Sequence, residues 1–282
     1  MSPPRYAPAQ VSLPRLLPSV TSFITFILGM LLIFAGTQRK FLPQADLLTL
    51  NLPDTDLPDG VPDFFKVYLL SYCQGTNEEC VTEDTNTTSI VTKLIDCSDR
   101  DLLFTFNPGD AIASALGLGP DDPLPSGLDW PGWIDDDFDT LGTTGQAMSV
   151  LYVIGTTGAG VSIAVSLWTM WSASPLSPPS TIQFLVLLTS MMSLGIATII
   201  ANVISAQFVS LIDKSGQDEG ISADHGEAFL ALSWAAMGFQ TLGTVASLIS
   251  ILVYRAKHCR CDWDEGSPAS PDLGEHKPLV EG

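Results

Sequence analysis

Four stretches of this chain are long, apolar and free of charged side chains, and they decide what the remainder can be. The first, Leu16 to Gly36, would extend as a helix for roughly 31 Å, about one hydrocarbon core. The second, Ala147 to Ser174, carries Trp168 and Trp171 near its end, where indole rings suit a headgroup boundary. The third follows the proline-rich turn SPLSPPS and stays uncharged through Ile212, so its helix is long enough to project beyond a bilayer. The fourth, Ala228 to Tyr254, is closed by Arg255, Lys257 and Arg260. A Lys, Arg or Asp at the centre of a span costs about 2.5 to 3.5 kcal/mol on insertion scales, so the lack of any in four such runs reads as four transmembrane helices. Segregation along the chain also explains how a mean hydropathy of +0.29 coexists with a net charge of -19.

The first run has a rival reading as a cleaved secretory signal, because the small residues Ala35, Gly36 and Thr37 follow it. It exceeds the usual signal core of about 7 to 15 apolar residues, which favours a retained anchor. Arg5 and Arg15 precede it without an acid, and the three bases after the fourth run repeat that bias, so both termini read as cytosolic. The loop before the fourth run holds Lys214 against Asp213, Asp218, Glu219, Asp224 and Glu227 and reads as external. Arg39 and Lys40 argue the other way, but they begin a segment too long for the charge rule to govern.

The expected organisation is a cytosolic arm (1–15) and spans at 16–36, 147–171, 181–205 and 228–254. External segments at 37–146 and 206–227, a cytosolic turn at 172–180 and a cytosolic tail at 255–282 complete it. The expected fold class is an all-α membrane protein, a four-helix bundle with a large, partly disordered, disulfide-containing external loop.

That loop carries 20 acids against 5 bases from Thr37 to Gln146, a net of -15, which argues against anionic lipid or nucleic acid as its partner. Cys73, Cys80 and Cys97 fall within it, and an oxidising compartment lets two of them pair. Closing Cys73 to Cys97 is worth on the order of 3.5 kcal/mol in the chain-entropy model, against about 2.5 for Cys73 to Cys80, which does not choose between them. Three thiols without a nearby histidine make an incomplete zinc site, and no metal or other cofactor is expected. Asn86-Thr87-Thr88 is a glycosylation sequon in a polar stretch. Asp135, Asp137 and Asp139 imitate the start of a calcium loop, but Thr140 stands where the loop needs glycine and Gln146 where it needs glutamate.

Val67-Tyr68-Leu69 and Ser71-Tyr72-Cys73-Gln74-Gly75, then Cys97 followed by Phe104-Thr105-Phe106-Asn107-Pro108, form a pattern within the first external segment. With one span before it and three after, the chain resembles the fungal Sur-seven/PalI tetraspan family. The resemblance implies Cys73 and Cys97 as the disulfide pair, with Cys80 left over. It also implies a multi-pass plasma-membrane protein of the fungal cortex, associated with eisosome-type domains, cell-wall integrity and endocytosis. The alternative is an auxiliary subunit of an ambient-pH-sensing or channel complex. The topology is also claudin-like, although the tryptophan-containing element of claudins is not present.

Close packing of small residues drives helix association in lipid, and the spans supply them. Gly155 and Ala159 mark the second span, Ser193, Ala197, Ala201 and Ser205 recur every fourth position on the third, and Ala231, Ala235, Gly243 and Ser247 share a row on the fourth. Packing within the bundle is the favoured use, with assembly of further copies the other. Asn202 and Gln240 are the notable amides within spans and can bond across helices. Pumps and voltage sensors place ionisable residues inside the membrane, which these runs do not. His225, His258 and His276 sit in separate polar segments and form no catalytic constellation, His225 reading as a solvated partner of Glu227, so no enzyme is expected. Cys259 and Cys261, among bases at the cytosolic surface, are expected sites of S-acylation. Expected partners are membrane lipids, cortical scaffold or other membrane proteins, and a second copy of the chain.

The charge pattern predicts that protease added to intact cells spares a C-terminal tag and that N-glycosidase lowers the mass of the wild type but not of Asn86→Gln. Loss of the tag with the membrane sealed would overturn this topology.

Overall fold

The computed structural model describes residues 13–37, 41–52, 62–82, 87–118, 132–172, 181–216 and 221–265. In chain order its elements are α1 (Leu13–Phe34), β1 (Leu48–Asn51), β2 (Phe64–Val67), β3 (Tyr72–Thr82), β4 (Thr87–Cys97), α2 (Pro108–Ala115), α3 (Gly132–Ser172), α4 (Thr181–Gly216), β5 (Ser222–His225) and α5 (Glu227–Glu265). Four helices contain stretches long and apolar enough to cross a membrane: Leu16–Phe34, Gly142–Thr169, Thr181–Lys214 and Glu227–Ala256. They form a ring in which α1 packs between α3 and α5, and α4 closes the circle against the same two helices. Lipid offers no hydrophobic drive between helices, so contact rests on shape. At Gly155 a Cβ would lie 2.6 Å from Leu194 Cγ, which shows how closely α3 and α4 approach.

The expectation of an all-α fold needs correction. The long segment after α1 and the short one after α4 together build a five-stranded antiparallel sheet in the order β4-β3-β2-β1-β5. β5 comes from the segment expected to be only a loop, and it pairs with β1 in the register Leu48↔His225 and Leu50↔Ala223. A side-chain bond from Asn51 Nδ2 to Asp224 Oδ2 of 2.9 Å supports that register. The sheet escaped sequence reading because three of its strands, β1, β2 and β5, are only four residues long and lie in segments rich in acids and turn residues.

α4 also differs from expectation. It continues to Gly216, past the expected span end at 205, because Phe208 and Ile212 lie one turn apart on a face that the sheet buries. These two side chains join Leu48, Leu50, Phe65 and Val67 in one apolar core, which the short helix α2 covers with Ala111 and Ile112. A second core inside the bundle groups Leu32, Tyr152, Leu194, Ala197 and Phe229, and Leu47 and Leu69 reach into it from the sheet end. Where α5 begins, Gly226 fills a position that no side chain could occupy, since a Cβ there would sit 1.7 Å from the Asp46 carbonyl oxygen. Its N–H donates to Leu47 O at 3.0 Å. Sheet and bundle are therefore one packed body.

Phe208 is 3% exposed and contacts the sheet from a membrane helix, so Phe208→Ala is expected to cost about 3 to 5 kcal/mol, the range for a buried aromatic truncated to alanine. A thermal melt in mild detergent checks this, with an unchanged midpoint counting against the shared core.

Candidate functional site

The residues that carried the family resemblance converge where the sheet meets the bundle. β3 opens with Tyr72-Cys73, and the pairing with β4 sets Cys73 opposite Cys97, where the two form a disulfide across 24 positions of sequence. Cys73 is fully buried, in a small core with Ala35, Ala45 and Tyr68. The bond locks the hairpin at its base, beside the end of α1.

Tyr68 lies over the turn that follows α1. Gly36 adopts φ +70 there, and a Cβ on it would fall 2.3 Å from the Tyr68 ring, so glycine is required both by conformation and by space. The Tyr68 hydroxyl donates to Pro43 O at 3.1 Å. Burial first, and the Asp46 carboxylate second, push its pKa well above the ordinary value. Burial also raises Tyr72, with a hydrogen bond to Ser114 offsetting part of the effect and Asp110 and Asp96 adding to it.

Four residues of Phe104-Thr105-Phe106-Asn107-Pro108 have distinct tasks. Phe104 stacks on Tyr72 at 6.0 Å, and Phe106 contacts Tyr72, Phe65 and Phe208 at 5.7, 6.4 and 6.4 Å. Such aromatic pairs are worth about 0.5 to 1.5 kcal/mol each beyond the area they bury. Asn107 then caps α2, its side chain accepting from Gly109 N–H at 2.9 Å, and Pro108 occupies the first helical turn, where a missing N–H costs nothing. The motif thus turns the chain from the disulfide into the helix that roofs the sheet core.

An open groove of about 540 Å³ runs beside this junction, bordered by Gln44, Asp46, Lys66, His225, Glu227 and Ala231. Asp46 is mostly buried and well satisfied, accepting from Thr49 Oγ1 at 2.6 Å and facing Lys66 Nζ at 3.4 Å. His225 is exposed, as expected, but it lies in β5 and its Nδ1 meets Ser205 Oγ on α4 at 3.0 Å rather than Glu227. Sequence reasoning missed this link because it depends on β5 docking beside the extended α4.

Inside the bundle, hydroxyls replace charges. Tyr152 and Ser233 share a hydrogen bond, Ser233 also meets Thr198 at 2.9 Å, and Ser190 donates to Gly155 O at 2.6 Å, which ties α3, α4 and α5 together. Thr25 donates to Ala236 O at 3.2 Å and joins α1 to α5. Gln240 is fully buried, with Nε2 3.5 Å from Leu187 O, whereas Asn202 bonds Thr198 O within its own helix at 2.8 Å.

The small residues separate by location. Gly155, Ala159, Ser193, Ala197 and Ala201 are buried between helices, as are Gly243, against Thr21 Oγ1, and Ser247, whereas Ser205 is buried against Leu47 and His225 at the sheet. Ala235 is half-buried and Ala231 is exposed. Cys80 lies in β3 opposite Ser89. Cys259 and Cys261 fall in the last turns of α5, and Asp135, Asp137 and Asp139 fall in α3. Asn86 lies outside the described residues. Among the described residues, no group of three or more His, Cys, Asp or Glu is placed to hold a metal ion.

A comparison with curated proteins finds no match. A comparison with family models finds one, the SUR7/PalI family, over residues 14–253.

The Tyr68 phenol holds its proton more tightly than an unfolded tyrosine does, so its contribution to stability is intact below the unfolded value of 10.0 and is lost as pH rises beyond it. Melting temperatures measured across alkaline pH should decline above that point, and Tyr68→Phe should decline less steeply. Parallel curves for the two proteins would contradict this.

Proposed function

The chain belongs to the SUR7/PalI family, and on that footing we propose that it is a structural organiser of plasma-membrane domains at the fungal cell cortex. One observation supports this reading above the others: the interior of the bundle is closed by side chains that bond across helices. Tyr152, Thr198 and Ser233 fill the space between three helices, and Gly155 and Gly243 bring neighbouring backbones close. Such an interior suits a rigid membrane body that presents its outer surface to partners, rather than a conduit that must open. The outward faces of α4 and α5 are apolar, with Leu185, Ile196, Ile199, Leu242, Ile249 and Leu252 exposed, as contact with acyl chains requires.

In this reading both termini are cytosolic, the sheet lies outside the cell in a claudin-like arrangement, and Asn86 carries a glycan. Acyl chains on Cys259 and Cys261 hold the end of α5 against the cytosolic leaflet. Each buried methylene adds about 0.8 kcal/mol, but four spans already anchor the protein, so acylation acts on lateral distribution rather than attachment. Hydroxylamine-sensitive labelling of the wild type, absent from Cys259→Ser/Cys261→Ser, is the expected signature. The partners are membrane lipids, cortical scaffold proteins and further copies of the chain.

Affinity capture of the full chain in mild detergent tests the function. Recovery of cortical scaffold proteins is expected; recovery of a receptor or channel in their place would make the protein an auxiliary subunit instead.

A further inference from the structure

We propose that the turn at residues 100–103 is a foot seated in the membrane leaflet at the sheet end, where Arg100 meets a phospholipid phosphate and Leu102 and Leu103 enter the acyl region. The proposal rests on reading the four apolar helices as membrane spans, and it adds a second, non-helical contact between this protein and lipid.

Its first support is the exposure of the two leucines, 43% for Leu102 and 56% for Leu103, in a turn that its own backbone holds firmly. Asp101 N–H donates to Leu70 O at 3.1 Å, Phe104 N–H to Asp101 O at 3.3 Å, and Leu103 N–H to the Asp101 carboxylate at 3.0 Å. The turn is thus bonded to the sheet domain while its apolar side chains face outward. A single exposed leucine needs no explanation, but two adjacent ones on a fixed turn in an acidic domain do.

The second support is their level relative to the bundle. The Arg100 guanidinium lies 5.4 Å from the centre of the Phe34 ring, and Phe34 closes the apolar span of α1. Leu103 O accepts from Gln146 Nε2 at 2.8 Å, and Gln146 lies in the first turns of the apolar stretch of α3. From Gln146 to the exposed Trp168 along α3 is roughly 33 Å at the helical rise, about one hydrocarbon thickness. Phe34 ends the apolar stretch of α1 and Gln146 lies near the start of that of α3, and the turn links these two ends. Phe34 is itself 37% exposed and extends the apolar surface of α1 toward the leucines.

The third support is charge. The segment from Thr37 to Gln146 has 5 bases among 20 acids, and its Lys66 is engaged by Asp46. Arg100 is placed at the boundary beside Phe34, where a planar guanidinium can take phosphate oxygens while its stem covers the ring. Asp99 and Asp101 flank it, but the Asp101 carboxylate turns back to cap Leu103 N–H.

Depth measurement by spin labelling decides the matter. The full chain, with Cys80, Cys259 and Cys261 replaced by serine, is reconstituted in phosphatidylcholine nanodiscs and labelled at Leu103→Cys. References are Asn77→Cys on the hairpin and Ile196→Cys at the lipid face of α4. Oxygen relative to a water-soluble nickel chelate is expected to relax the label at 103 several-fold more effectively than the label at 77, approaching the ratio at 196. A ratio equal to that at 77 would place the turn in water and end the proposal. Protection from both reagents would mean that protein covers it, which is equally fatal. Arg100→Ala is expected to shift the 103 label toward the aqueous ratio, and an unchanged depth would remove the phosphate contact. Retention of the Cys73–Cys97 disulfide on non-reducing gels confirms that each variant is folded.

Discussion

The burial of Phe208 and Ile212 against the sheet is the interaction on which the rest of this structure depends. They sit near the end of a helix longer than one bilayer needs, and their contact with Leu48, Leu50 and Phe65 joins the helical bundle to the sheet. In water the apolar core of a small sheet contributes by leaving solvent, whereas helices in lipid are held by packing and polar bonds. A four-residue central strand such as β1 has too little apolar surface to be stable alone. The end of α4 supplies the surface that the sheet lacks.

The disulfide and the aromatic motif act on the same junction from the other side. Cys73–Cys97 ties the base of the long hairpin, and the chain leaving Cys97 must return over the sheet core. Phe104 and Phe106 hold that return by contacts with Tyr72, Phe65 and Phe208, and Asn107 with Pro108 converts it into α2. Three devices thus converge on one small volume: a covalent bond, an aromatic cluster and a capped helix. Their convergence explains why a strongly acidic segment, which repels itself, still folds next to the bundle.

Within the spans, hydroxyls rather than charges link the helices, although Thr156 Oγ1 and Gln240 Oε1 are buried without a hydrogen-bond partner among the described residues. The hydroxyls of Thr25, Tyr152, Ser190, Thr198 and Ser233 bond to partners on neighbouring helices, which fixes helix rotation at little desolvation cost. The small residues read from the third span are all buried, but Ala231 on the fourth is exposed. Periodicity identified the row; it could not say how far along the row the neighbouring helix stays in contact. Ala231 lies in the first turns of α5, beside the open groove near Asp46, where the bundle gives way to the sheet.

Sequence alone determined that the chain crosses a membrane, because a span is a local property: about twenty apolar residues in succession meet the requirement without reference to any other segment. The residues at the sheet junction were legible as a pattern, through the spacing of Tyr72, Cys73, Cys97 and Phe104 to Pro108, although their physical tasks were not. Tertiary structure alone decided the five-stranded sheet, the continuation of α4 to Gly216 and the pairing of His225 with Ser205. Each of these brings together residues twenty or more positions apart or converts a loop into an element by contact. A short strand carries almost no signal of its own, since its hydrogen bonds and its burial both belong to its neighbours. β5 exists because β1 and the end of α4 are there to receive it.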